Sequence, residues 1–312
     1  MSSSLPIEHS LRQVEKNFQS PDDRDCIFCP NHELGWHYQD VGHGRPLVLL
    51  HGIGMSHSAW QNVIHDLAGE RRVLAFDIAG FGLSPPVADD IQPTPANLVS
   101  GPRSLADALV QIDAAREISK ETEYVDIVGN SLGGFLALEA AKIGKLGCFN
   151  VKSIAAISPA GLWKKHYPVR SEMVLQVMRL GNRFLPRLTR ILLRRSYTRR
   201  LIMAVPMSAN VPEEDAVELV KIFAAAPVFG SQTAFKRLRE NLKDPFKGGR
   251  KIAGEIKVTI AFGDRDWLIP RSARRCDELP EDVIWQNRKG WGHVPMWDDP
   301  KGVTRFILEA TA

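Results

Sequence analysis

Short apolar runs and longer amphipathic segments alternate along the chain. PLVLLHG (46–52), RVLAFDI (72–78), YVDIVGN (124–130) and VKSIAAISP (151–159) are rich in Val, Ile and Leu with few polar breaks. Such runs suit strands buried on both faces of a parallel sheet. HSAWQNVIHDLAG, SLADALVQIDAARE and LGGFLALEAAKIG, between them, repeat apolar positions at helical spacing. The rhythm resumes with IKVTIAFGD (256–264) and EDVIWQNRKG (281–290), and a last helix follows DDP, where Asp299 caps and Pro300 takes the first turn. ELGWHYQDVG alternates apolar and polar residues and predicts the first strand. The pattern predicts an α/β fold with a doubly wound, mostly parallel sheet.

Residues 161–250 interrupt the alternation with amphipathic stretches such as SEMVLQVMRLGNRFLPRLTRILLRR. We read a core over 33–160 and 251–312, a helical cap over 161–250, and an N-terminal extension over 1–32. The Pro- and Ser-rich stretch 89–104 reads as irregular loop.

Composition narrows the class. The 312 residues are 44% hydrophobic and 24% charged, which suits a globular chain with a sizeable core. The start, MSSSLPIEHSLRQVEKNF, is polar, no apolar run reaches the ~18 residues of a membrane span, and four cysteines make no disulfide scaffold. A cytoplasmic location is expected. Charge is uneven: residues 162–250 hold 18 Lys+Arg against 7 Asp+Glu, leaving 22 against 29 elsewhere from totals of 40 and 36. Arg179, Arg183, Arg187, Arg190 and Arg194 recur at helical steps among Leu and Ile. A lid whose apolar side packs on the core and whose arginines face water accounts for this; contact with an anionic membrane surface or an acidic substrate is the alternative. Cys26 and Cys29 precede His32 and His37 like a zinc half-site, but no second pair completes four ligands and His37 falls in the first strand. No metal, cofactor or nucleic-acid partner is expected.

The chemistry centres on IVGNSLGGFLALEA (127–140), where a strand gives way to a helix at Ser131. A sharp turn there lifts the hydroxyl out of the fold and leaves no room for side chains at Gly129 and Gly133. A serine needs a base, and the base an orienting acid. AFGDRDWLIP (261–270) and GWGHVPMWDDP (290–300) follow the last two strands with Asp264, Asp266 and His293. The order Ser131, Asp266, His293, with G-x-S-x-G at the strand–helix junction, resembles the α/β-hydrolase family from about Leu34 onward.

That resemblance implies roles. G-x-x-D-x-x-x-P maps onto Gly263, Asp266 and Pro270, making Asp266 rather than Asp264 the acid. HGIG (51–54) is similar to the oxyanion turn, so Ile53 and Leu132 supply backbone N–H groups, while His51 is structural. DIAGFGLS (77–84) is similar to a family turn without chemistry of its own. The implied activity is serine hydrolysis of a carboxylic ester, thioester or lactone with an apolar acyl or alcohol part. GNSLGG and Trp297 are also similar to the meta-cleavage hydrolases that cut carbon–carbon bonds, although HGIGMS lacks their glycine-rich turn. A non-catalytic binding protein on the same fold stays open. Asp298, five residues after His293, reads as a helix cap.

Overall fold

The computed structural model describes residues 27–28, 35–163, 168–205, 207–213, 216–217, 241, 244–274 and 277–312. The sheet comprises β1 (Ile27–Phe28), β2 (Tyr38–Val41), β3 (Pro46–Leu50), β4 (Arg72–Phe76), β5 (Tyr124–Asn130), β6 (Lys145–Leu146), β7 (Phe149–Ile157), β8 (Lys257–Gly263) and β9 (Ile284–Arg288). Their spatial order is β1-β2-β4-β3-β5-β7-β8-β9, with β6 beside β7. β3, β4, β5, β7, β8 and β9 run parallel, and β1 and β2 add an antiparallel edge. Residues 27–28, inside the stretch read as an extension, therefore belong to the sheet. Cys26, Cys29 and His32 lie outside the described residues.

The parallel strands are the continuous apolar runs of the sequence, and Leu47–Leu50, Val73–Phe76 and Ile154–Ile157 are all buried. Both sheet faces are covered. α1 (Gln61–Ala68) packs against the C-terminal helix on one face, while α2 (Pro95–Ser100), α3 (Leu105–Arg116) and α4 (Leu132–Ile143) cover the other. Helix α2 breaks the loop expected over 89–104. Thr94 Oγ1 accepts from the Asn97 N–H and Pro95 occupies the first turn, so the residues that looked like loop composition are a cap and a pre-set start.

The segment between β7 and β8 carries α5 (Val169–Phe184), α6 (Pro186–Arg194) and α7 (Ser196–Met203). Leu193, Met203, Met207 and Val211 pack with Trp291, Val294, Met296 and Trp297 beyond β9. The expectation that the apolar side of these helices is turned inward holds only in part, because Phe184, Leu188, Ile191 and Leu201 are exposed. The chain ends with α8 (Pro295–Asp298) and α9 (Pro300–Ala310). Asp299 caps α9 by accepting from the Gly302 N–H. Among the described residues no helix is long and apolar enough to cross a membrane.

Candidate active site

Because β3, β5, β8 and β9 run parallel in one sheet, with β7 between β5 and β8, their C-terminal ends open on the same edge. The registers Leu50↔Gly129, Asn130↔Ile157, Ile157↔Ala261 and Gly263↔Arg288 bring those ends level. The HGIG turn, Ser131, Asp266 and His293 follow these four strands. Ligands in open parallel sheets bind at this edge.

Ser131 stands between β5 and α4 with φ 55° and ψ −110°, a conformation that L side chains rarely adopt. The crowding around it explains the glycines. A Cβ on Gly129 would lie 2.0 Å from the Gly133 carbonyl oxygen, and one on Gly133 would lie 2.1 Å from that of Leu50. The turn is pinned by the Ser131 N–H on the Ile157 carbonyl (3.0 Å) and the Gly133 N–H on the His51 carbonyl (3.1 Å). The second bond draws the HGIG turn against the serine, and a Cβ on Gly52 would sit 3.4 Å from Ser131 Cβ. Ile53 and Leu132 flank the serine from the two turns. Neither amide donates a hydrogen bond among the described residues. The N-terminal end of α4 adds its positive dipole at Ser131.

Asp266 and His293 meet directly, with Nδ1 of the ring 3.2 Å from Oδ2 of the carboxylate and both groups buried. The other carboxylate oxygen accepts from the Leu268 and Ile269 N–H groups, each at 3.0 Å. Burial pushes the Asp266 carboxyl up, but His293, the Ile269 N–H and Arg274 outweigh it and hold it below the ordinary carboxylate range. It is therefore ionised at neutral pH and fixes the Nδ1–H tautomer of the ring. Asp264 instead accepts from the exposed Gly290 N–H at 2.7 Å and does not reach the histidine.

The backbone of His293 is held from two sides. Its N–H donates to the Met207 carbonyl (2.8 Å) and its own carbonyl accepts from Asn130 Nδ2 (2.8 Å). Asn130 is the residue before Ser131, so this bond ties the histidine loop to the serine turn. Among the described residues no hydrogen bond joins Ser131 Oγ to the imidazole. Contacts between nucleophile and base are commonly long without substrate and shorten when it seats.

Several supporting residues carry no signal in the sequence. Arg274 braces the Asp266 loop by donating to the carbonyls of Gly263, Asp266 and Ile269. Met207 reaches His293 from the inserted segment, which no local pattern announces. Asn130 lies inside the elbow motif at a position the motif leaves open. Asp298 is not a helix cap. It accepts from the Gly292 N–H (2.8 Å), Asn210 Nδ2 (3.2 Å) and Ser208 Oγ, lashing the inserted segment to the histidine loop. His51 is buried and accepts from the Ile78 N–H through Nε2 (2.9 Å). Burial lowers its pKa to about 4, against the pull of Asp77 and the Gly52 carbonyl.

Among the described residues His37, His57 and Asp77 form another group whose ligand atoms lie within 4.8 Å of one another. The Asp77 carboxylate is saturated there by the His57 N–H, the Leu83 N–H and both rings, so hydrogen bonding alone accounts for the cluster.

Several known proteins are similar to this chain. An abhydrolase domain-containing protein of Caenorhabditis elegans, abhd-5.2, is 27% identical over 285 residues, 84% of this chain and 58% of that protein. A 2-hydroxy-6-oxo-2,4-heptadienoate hydrolase of Pseudomonas putida is 39% identical over 105 residues, 33% of this chain and 34% of that protein. The chain thus spans little more than half of the first relative's length and about a third of the second's. The structure of naproxen esterase from Bacillus subtilis shares the fold at a TM-score of 0.66 and 20% identity, over 99% of both chains. The model of the alpha/beta hydrolase family matches residues 47–306, from β3 into α9, and the chain belongs to that family.

Proposed function

We propose that this chain is a serine hydrolase that cleaves a carboxylic ester, thioester or lactone through an acyl-enzyme. The observation that carries the reading is the buried Asp266–His293 pair, whose loop Asn130 ties to the strained turn presenting Ser131. In this reading Ser131 Oγ attacks the acyl carbonyl carbon while Nε2 of His293 takes the hydroxyl proton. Asp266 stabilises the imidazolium without itself taking a proton. The Ile53 and Leu132 N–H groups receive the negative charge that develops on the carbonyl oxygen. The imidazolium then protonates the leaving alcohol or thiol as its bond to the acyl carbon breaks. A water molecule, losing a proton to the same ring, attacks the acyl-enzyme; collapse releases the carboxylic acid and restores Ser131. The inserted segment that carries α5–α7 serves as a cap, and its hold on His293 through Met207, in the turn after α7, supports that role.

Carbon–carbon bond hydrolysis of the meta-cleavage type is the second reading, favoured by the 39% identity to the heptadienoate hydrolase. It covers a third of the chain, and the ester reading needs no group beyond those already described.

Labelling with a fluorophosphonate tests the shared premise. Covalent adduct at Ser131, absent in Ser131→Ala and strongly slowed in His293→Ala, is expected. An unlabelled wild-type protein would point to a binding protein on this fold. Turnover of p-nitrophenyl esters of several chain lengths, set against a vinylogous ring-cleavage diketone, separates the two reactions.

A further inference from the structure

Residues 169–205, which hold α5–α7, carry nine arginines and one acidic residue, Glu172. A lid that served only to cover a pocket would bury its apolar side chains and turn the arginines to water. On α6, Leu193 does pack inward with Met203 and Trp297. The opposite face is different. Leu188 and Ile191 point outward, 48% and 56% exposed, and Ile191 stands three or four residues from Leu188 and from the exposed Arg187, Arg194 and Arg195. Phe184 at the junction with α5, and Tyr197 and Leu201 on α7, extend the face, each at least 61% exposed. Large apolar and cationic groups thus share one outward surface.

The surface reaches the loop of Asp266. Trp267 is 55% exposed, and the Arg170 guanidinium lies 4.5 Å over its ring beside the exposed Val169 and Met173 on α5. Ser171 Oγ donates to the Leu268 carbonyl at 2.6 Å, joining α5 to that loop.

We propose that the outward face of α5–α7 docks the protein on an anionic phospholipid surface. The chemistry of that partner meets both halves of the pattern. Acyl chains just below the headgroups take Phe184, Leu188, Ile191 and Leu201, while arginines extend their guanidinium groups to phosphates at the same depth. Aromatic side chains with a polar edge, such as Tyr197 and Trp267, favour the same boundary. An acidic protein surface would satisfy the arginines but not require apolar residues interleaved among them. The charge distribution orients the encounter. The insertion carries 18 Lys+Arg against 7 Asp+Glu and the rest of the chain 22 against 29, an asymmetry that draws the basic segment toward an anionic surface. The proposal is independent of the reaction proposed above, because binding is read without turnover.

Sedimentation of the full chain with vesicles tests it. Phosphatidylcholine vesicles containing phosphatidylserine should bind at least about tenfold more tightly than phosphatidylcholine alone, since each arginine near such a surface adds attraction. The preference should shrink with added salt. Replacing Arg187, Arg194 and Arg195 together by Gln should abolish it. Leu188→Ser with Ile191→Ser should weaken binding to anionic vesicles severalfold while thermal unfolding stays put, the positions being exposed. Equal binding to both vesicle types would overturn the proposal. So would anionic binding that ignores the Leu188/Ile191 change, which would mark a general polyanion surface. A dimer in light scattering, dispersed by that same change and indifferent to vesicles, would assign the face to a second copy of the chain and overturn it as well.

Discussion

Two buried aspartates in this chain face histidines, and their surroundings give them different capacities. Asp77 is fully enclosed, and its oxygens accept from the His57 N–H (2.7 Å), the His57 ring (2.9 Å), the Leu83 N–H (2.9 Å) and the His37 ring (3.1 Å). Asp266 spends one oxygen on two loop amides and gives the other to a single ring. Burial raises both carboxyls, and their facing histidines, joined at Asp266 by the Ile269 N–H and Arg274, hold both low. Charge and burial therefore do not distinguish them. What differs is what the imidazole can still reach. His293 lies on the edge where four parallel strands end, tied by Asn130 to the strained serine, whereas His37 and His57 hold the β2 start and the HGIG-side loop to the turn after β4. In the reaction proposed, it is the place on the sheet and not the carboxylate–histidine contact itself that gives His293 its role.

The comparison breaks first at the reaction. Ser131→Ala should lower ester turnover by about 10⁴-fold or more, and Asp266→Asn should lower kcat by about 10⁴-fold by favouring the wrong tautomer of His293. Asp77→Asn should do the reverse. Losing one charged partner of a buried cluster costs about 3–5 kcal/mol, to be read by urea unfolding, while the kcat of the protein that remains folded should change little. An Asp77→Asn enzyme of full stability and lost kcat would erase the distinction drawn here.

His51 links the two regions, since its ring accepts from Ile78 beside Asp77 while its carbonyl holds Gly133 of the serine turn. With its pKa lowered from 6.5 to about 4 in the fold, the ring stays neutral there while the unfolded chain takes up a proton below pH 6.5. Stability from this group is complete above pH 6.5 and is lost as pH falls toward 4, about 3 kcal/mol in all. The depressed Asp77 and Asp266 carboxyls add further loss in acid, in the same direction. His51→Gln keeps an acceptor for the Ile78 N–H without the titration. Its stability between pH 6.5 and 4 should decline less than the wild type's, by about that 3 kcal/mol, in urea unfolding at a series of pH values. An identical slope would remove His51 from the account.

Asn130 carries a smaller share. Asn130→Ala removes the bonds to the His293 and Ile157 carbonyls and should lower kcat about tenfold, the order of one buried hydrogen bond. KM should hold, and Ser131 should still label, more slowly. An unchanged kcat would mean the histidine loop is positioned by Met207 and Asp298 alone.

The strands and the serine turn are legible because each is local: a β-branched run, a glycine whose Cβ would meet a carbonyl oxygen at 2.0 Å, a cap residue before a proline. Helix α2 was hidden because Thr94-Pro95 has the composition of a loop while acting as a helix start. The ties made by Arg274, Met207 and Asp298 were illegible for a different reason. Each joins residues far apart in sequence through backbone carbonyls and amides, groups that every residue possesses and no motif marks. The outward turn of Leu188 and Ile191 on α6 is illegible in the sequence because helical periodicity reveals that a face is apolar without revealing which way it turns.

The finest division falls within one loop. Asp264 and Asp266 are two residues apart, yet one accepts from an exposed amide and the other from a buried ring. Asp264→Ala should cost no more than about 1 kcal/mol, the worth of one solvent-exposed hydrogen bond. Its kcat should stay within about twofold of the wild type, since no charge near His293 is then unpaired and the Arg274 brace is untouched. Urea unfolding and ester turnover on the same preparation check both values. A large loss of kcat with stability retained would shift the orienting role from Asp266 to Asp264 and require the loop to rearrange when substrate binds.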